Sequence, residues 1–242
     1  MMNTLVLNMV KNADLPKLSL RDISLPKLRQ SDKKEDMRER IARSAFELFR
    51  ENGYQKTTMR QIASKTGILN GSLYNAFKDK DEIFEYLAVK AMELKMNMII
   101  PFVEDEKDYV FALALPAVTD YWIAYRDTRI AELLTEAYKS WNIVNSMIEI
   151  QKNWFTYISD RYHVSVDKDR LEDSLYILSS ATGMIIERRF RTGVDRFRED
   201  ISTYLLMVLT LLHVPALGIP ALVDRFVETV KRPEFNAPIE IW

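Results

Sequence analysis

Apolar residues recur every three or four positions along most of this 242-residue chain, and no run alternates apolar with polar as a half-buried strand requires. Ile41, Ala45, Leu48 and Phe49 form one such stripe. Phe111, Leu115, Val118, Trp122 and Tyr125 form a second, and Ile143, Met147, Ile150, Trp154 and Ile158 a third. This spacing predicts an all-α fold in which each helix buries one face against its neighbours. Residues 171–190 and 195–214 make the two most apolar helices, and a last amphipathic one spans 221–230. Residues 201–223 lack Asp, Glu, Lys and Arg and are long enough to cross a bilayer. Pro215, Gly218 and Pro220 break that segment, so it reads as a buried helix ending near His213, a turn and another helix.

Caps and breakers divide the chain. Residues 1–31 contain "LPKL" twice, with Pro16 and Pro26 opposing regular helix. They read as a flexible or extended arm whose leucines dock on the body or whose lysines, Lys17 and Lys27, reach a DNA backbone. Asp32 and Glu35 have capping-box spacing for a first helix, which glycine ends at Gly53. Thr58 and Gln61 repeat that spacing for a second, closed by Gly67. Asn70 caps a short third helix through Phe77, and Asp79 with Glu82 caps a fourth running toward Ile100. The expected organisation is an arm (1–31), a small head (32–80), a helical body (81–232) and a tail (233–242).

Charge separates the two ends. Residues 1–90 carry 17 Lys+Arg against 12 Asp+Glu, whereas residues 91–242 carry 17 against 23. A basic front end on an acidic body suits a polyanion partner at the front only. With no cysteine and two distant histidines, His163 and His213, thiol catalysis and Cys/His metal sites are excluded or disfavoured. No Ser-His-Asp set or phosphate loop is visible, so neither an enzyme nor a cofactor is expected. The cysteine-free composition suits a reducing cytoplasm, and "MMNTLVLNMVKNADLP" lacks the basic start and long apolar middle of a signal peptide.

Two short helices joined at a glycine form a helix-turn-helix, whose second helix enters the major groove of DNA. That geometry explains why residues 70–75 are Asn, Gly, Ser, Leu, Tyr and Asn. Gly71 permits close backbone approach, and Asn70, Ser72 and Asn75 offer donors and acceptors to base edges. Tyr74 suits a phosphate, while Leu73 and Phe77 face back into the core. Lys80 opens the next helix, where an ammonium and free N–H groups both favour a phosphate.

The stretch "AFELFRENGYQKTTMRQIASKTGILNGSLYNAFKDKDEIF" resembles the N-terminal domain of the tetracycline-repressor (TetR/AcrR) family of transcriptional regulators. The match covers about 50 residues, from Arg38 to Leu87. The resemblance implies that Thr58, Tyr74 and Lys80 contact phosphates and that Arg60 lies near the backbone or a base edge. It also implies base readout by Asn70, Ser72 and Asn75. Leu69 and Asn70 stand where the family often has Ser and a basic residue, and Ala76 where it often has His. The operator therefore cannot be borrowed from a relative, and Leu69 becomes a candidate for a thymine-methyl contact.

The resemblance further implies a homodimeric repressor with a ligand-binding, dimerising body, released from a pseudo-palindromic operator by a small, largely apolar effector. An activator of the same family, or a small-molecule-binding protein with a vestigial head, stays open at this point. Trp122, Tyr125, Trp141, Met147, Trp154 and Tyr157 are the candidate pocket residues, being aromatic or soft side chains on the body stripes. Leu175, Ser179, Gly183, Tyr204 and Val208, on the two most apolar helices, are the candidate dimer residues. There "SSATG" lets helices approach closely.

Overall fold

The computed structural model describes residues 33–104, 106–164, 167–211 and 218–236. The arm with its LPKL copies, the Asp32 cap, His213 and Pro215 lie outside them. Among the described residues there are helices and no strands. In chain order they are α1 (Lys33–Asn52), α2 (Met59–Thr66), α3 (Asn70–Ala76), α4 (Lys80–Glu104), α5 (Tyr109–Arg126), α6 (Thr128–Lys139), α7 (Trp141–Arg161), α8 (Lys168–Thr192), α9 (Phe197–Leu211), α10 (Ile219–Val230) and α11 (Pro233–Asn236).

The head is built on α1. Ile41, Ala42, Ala45 and Phe49 of its apolar stripe are essentially inaccessible to solvent. α2 and α3 fold back over that stripe through Ile62, Ala63, Leu73 and Phe77, all buried. α4 then leaves the head and runs its full length, about 37 Å at 1.5 Å per residue, into the body. Ile83, Phe84 and Leu87 are buried at its head end, and Met96, Ile99, Ile100 and Val103 at its body end.

In the body α5 is central, touching α4 and α6 through α10. Its inner face buries Phe111, Leu115, Val118 and Tyr121. Phe111 stacks on Phe226 of α10, ring centroids 4.4 Å apart, and Trp154 of α7 and Tyr162 just after it fill the other side.

The expected tail begins with a short helix, α11, and the elements differ from the sequence reading at three further places. The fourth helix does not end near Ile100 but continues through Pro101 to Glu104. The N–H that Pro101 lacks would have bonded the carbonyl of Asn97, an exposed residue, so the loss falls on the solvent side where water can replace the bond. Leu69, not Asn70, is the N-cap of α3, and it offers no side-chain bond. The apolar stripes do not separate α6 from its neighbours. The signals it carries are Asp127, which caps it by accepting from Arg129 and Ile130 N–H, and Ser140, which caps α7 immediately after it.

Candidate nucleic-acid interface and the cavity behind it

Local chemistry fixes the angle between α2 and α3. Thr58 caps α2, its hydroxyl accepting from Gln61 N–H at 3.3 Å while Gln61 Oε1 accepts from Thr58 N–H at 2.8 Å. Gly67 at φ +73° closes the helix, and the Ile68 N–H donates back to the Ala63 carbonyl at 3.1 Å. A residue with a Cβ would strain that left-handed turn. Leu73 and Phe77 then pin α3 to the head core.

What faces outward is the predicted reading surface. Thr58, Arg60, Asn70, Gly71, Ser72 and Asn75 are exposed, Tyr74 is 56% exposed and Leu69 80%. A Cβ built on Gly71 meets nothing within 4 Å, so no neighbour within the described structure demands glycine there. Leu69 thus stands in the open beside a small, polar helix face.

Lys80 is placed differently from the sequence reading. Its ammonium donates to the Tyr54 and Thr57 carbonyls at 2.8 and 3.0 Å and lies 4.3 Å from the Tyr54 ring centroid. Burial against these carbonyls lowers its pKa. Tyr54 in turn bonds Asp81 and stacks on Phe84, so this cluster bolts the α1–α2 turn to the start of α4. The exposed cation at this corner is Lys78, its side chain 87% exposed. The sequence does not distinguish it, because both lysines of "FKDK" look alike there. Across the domain, Arg38 donates to the Ala76 carbonyl at 2.5 Å and to Glu82 at 3.1 Å, with its guanidinium 3.9 Å from the Phe77 ring centroid. It thereby holds the C-terminal end of α3 against α1 and α4.

Behind the head lies a cavity of about 380 Å³. Phe46 and Phe49 of α1 wall one side, Leu87, Ala91 and Met98 of α4 another, and Leu133, Leu134 and Met147 of α6 and α7 the far side. Phe235 of α11 also borders it, held by Arg126, which donates to its carbonyl at 2.8 Å. One ion pair interrupts the apolar wall. Lys95 of α4 donates to both carboxylate oxygens of Asp120 of α5 at 2.7 Å, and both residues are buried. Tyr138 of α6 donates to Asp120 Oδ2 at 3.2 Å. Burial and the Asp120 charge together push the Tyr138 pKa well up.

Of the six candidate pocket residues, only Met147 lines this cavity. Trp154 is buried beside a small void of about 30 Å³ that shares Met92, Lys95 and Asp120 with the cavity wall. Tyr125 is a tie between helices, donating to Asp200 at 2.9 Å and accepting from Arg196 N–H at 2.9 Å. Its pKa is pushed up to about 12, chiefly by burial. Trp122 packs on Phe197. Tyr157 is half-buried in the core, and Trp141 is 67% exposed, stacked on Tyr176. The walls of this cavity are mostly Phe, Leu, Ala and Met, types that any core also uses, so the sequence does not single them out.

The candidate dimer residues are corrected too. Leu175, Ser179, Gly183, Tyr204 and Val208 are all buried within the monomer. A Cβ on Gly183 would sit 2.6 Å from the Tyr138 Cβ, so this glycine serves the α6–α8 contact of its own chain. The same helices expose other apolar residues, namely Ile177 and Met184 of α8 and Leu206 of α9.

Comparison with known proteins agrees with this geometry. Residues 41–87 match the family model for bacterial regulatory proteins of the tetR family. The chain is 30% identical to the HTH-type transcriptional regulator QacR of Staphylococcus aureus over 134 residues, covering 53% of this chain and 68% of QacR. It is 26% identical to the uncharacterised HTH-type regulator YerO of Bacillus subtilis, covering 69% of this chain but 51% of YerO, so it spans about half of that relative's length. Among solved structures, a TetR regulator from Rhodococcus sp. RHA1 superposes with TM-score 0.57 at 17% identity, over 75% of this chain and 98% of that one. SmeT of Stenotrophomonas maltophilia gives 0.53 at 17%, over 78% and 95%. Among the described residues no helix is long and apolar enough to cross a membrane. The matched head, the two-thirds coverage of QacR and the shared helical fold together make the chain a member of the TetR family of transcriptional regulators.

Proposed function

We propose that this protein is a dimeric, ligand-responsive repressor. Its α3 reads a pseudo-palindromic operator, and an apolar effector entering the cavity releases it. The observation that carries the reading is the wall of that cavity: Phe46 and Phe49 belong to the head, Ala91 and Lys95 to α4, and Leu133 and Met147 to the body. A ligand there touches the head and the body at once, so its binding energy depends on their relative position. SmeT, which has a similar fold, is described as the repressor of a multidrug efflux pump and has been solved with triclosan. This supports repression and a largely apolar effector.

The dimer face in this reading is the outer side of α8 and α9. Ile177 and Met184 lie seven residues apart and so share one face of α8, and Leu206 projects from α9 beside it. A two-fold pair of heads then reads half-sites about 34–36 Å apart. The test is titration of the protein into labelled duplex DNA from around its own gene, against random DNA of equal length. The reading expects two chains per site and a specific affinity at least about a thousandfold above the random one. Equal affinities would leave a head that binds DNA only by charge.

A further inference from the structure

The buried ion pair in the cavity wall offers hydrogen-bonding positions that its own partners leave open. Lys95 has three N–H donors and gives two of them to Asp120. The Asp120 carboxylate has room for about four hydrogen bonds and accepts three, two from Lys95 and one from Tyr138. Among the described residues the pair therefore keeps one donor and one acceptor uncommitted. Its charges already cancel, so a ligand ion would find no counter-ion in the pair; the one other ionisable group of the wall, Glu234, is exposed to solvent, and the rest is Phe, Leu, Ala, Ile and Met.

We infer that the cavity selects a neutral, apolar molecule bearing a hydroxyl group, an alcohol or a phenol, which accepts from Lys95 and donates to Asp120. This rests on the cavity being the effector site. A hydroxyl uses both open positions of the pair, a ketone or ether only one, and a hydrocarbon neither. The pair also joins α4 to α5, so the group that fixes the ligand is held by the helix that carries the head.

Four probes on one two-ring frame test this by calorimetry on the full chain without DNA: diphenylmethane, diphenylmethanol, diphenylacetate and diphenylmethylammonium. In a purely apolar cavity the hydroxyl is desolvated without return, and the alcohol binds more weakly than the hydrocarbon. The inference expects the alcohol to bind about fivefold tighter than the hydrocarbon, with both ions weaker than the alcohol. Replacing the whole pair, Lys95→Met with Asp120→Leu, avoids stranding one buried charge and should erase the alcohol's advantage while the hydrocarbon still binds. The comparison on the unaltered protein stands whether or not that variant folds. A tighter hydrocarbon, an ion that binds best, or an advantage that survives the double replacement overturns the inference and leaves the cavity as a ligand site. Failure of all four probes to bind overturns both.

Discussion

Tyr74 and Lys80 both read as phosphate contacts in the sequence, yet the structure gives them different surroundings. Tyr74 is exposed on α3, whereas Lys80 spends its ammonium on the carbonyls of the Tyr54–Thr57 turn. Tyr74→Phe should therefore cost about 1 kcal/mol of binding on specific and random DNA alike, with no change in melting temperature. Lys80→Ala should lower the melting temperature as well as DNA affinity; an unchanged one would return Lys80 to the role of a simple phosphate contact. Asn75→Ala is expected to act differently again. It should relax preference at particular base pairs, at about 1–3 kcal/mol for a bidentate contact, and equal losses on specific and random DNA would remove it from the readers. Gly183 belongs to the same scale. Gly183→Ala drives a methyl into Tyr138 and should cost about 1–3 kcal/mol of folding stability, measured by denaturant titration.

Among the elements, the head was legible and the faces of the body were not. Thr58, Gln61 and Gly67 act locally, through bonds spanning three to five residues, so their spacing in the sequence already dictates α2 and the turn. Lys80 and Arg38 bond groups 23 to 44 residues away, and nothing in local spacing shows such partners. The body's apolar helices bury more than one face. Periodicity therefore identifies α8 and α9 but does not say which side meets the monomer core and which faces outward. Leu175 and Ile177 differ by two positions and lie on opposite sides of that divide. If the outer side of α8 is the dimer face, Ile177→Glu with Met184→Glu gives monomers in sedimentation equilibrium and leaves far-ultraviolet circular dichroism unchanged. A dimer that survives both charges would place the interface elsewhere.

On the scale of the whole molecule, tyrosines tie the head to α4 and the body helices to one another. Burial is the first cause raising the pKa of Tyr54, Tyr86, Tyr121 and Tyr138, reinforced at Tyr54 and Tyr86 by hydrogen bonds to Asp81 and Glu35. The folded protein keeps these protons, while the unfolded chain releases them near the ordinary tyrosine value of 10.0. Their contribution to stability is thus fully present below about pH 10 and is lost as pH rises beyond it. Denaturation midpoints should fall on the alkaline side of about pH 10, with the tyrosinate signals of these four residues, assigned by Tyr→Phe difference spectra, appearing only as the protein unfolds. Tyrosinate formed at these four in the folded state near pH 10 would contradict this.

The central claim is that filling the cavity moves the heads. The chain has no cysteine, so Lys78→Cys, at an exposed position beside α3, places one spin label on each head of a dimer. The most direct measurement is the label-to-label distance by electron–electron resonance, with and without Ala91→Trp to fill the cavity from its α4 wall. The account predicts a shifted distance distribution and weakened operator binding in the filled protein, with the dimer intact. An unchanged distance in a folded, filled dimer would show that the cavity does not control the heads.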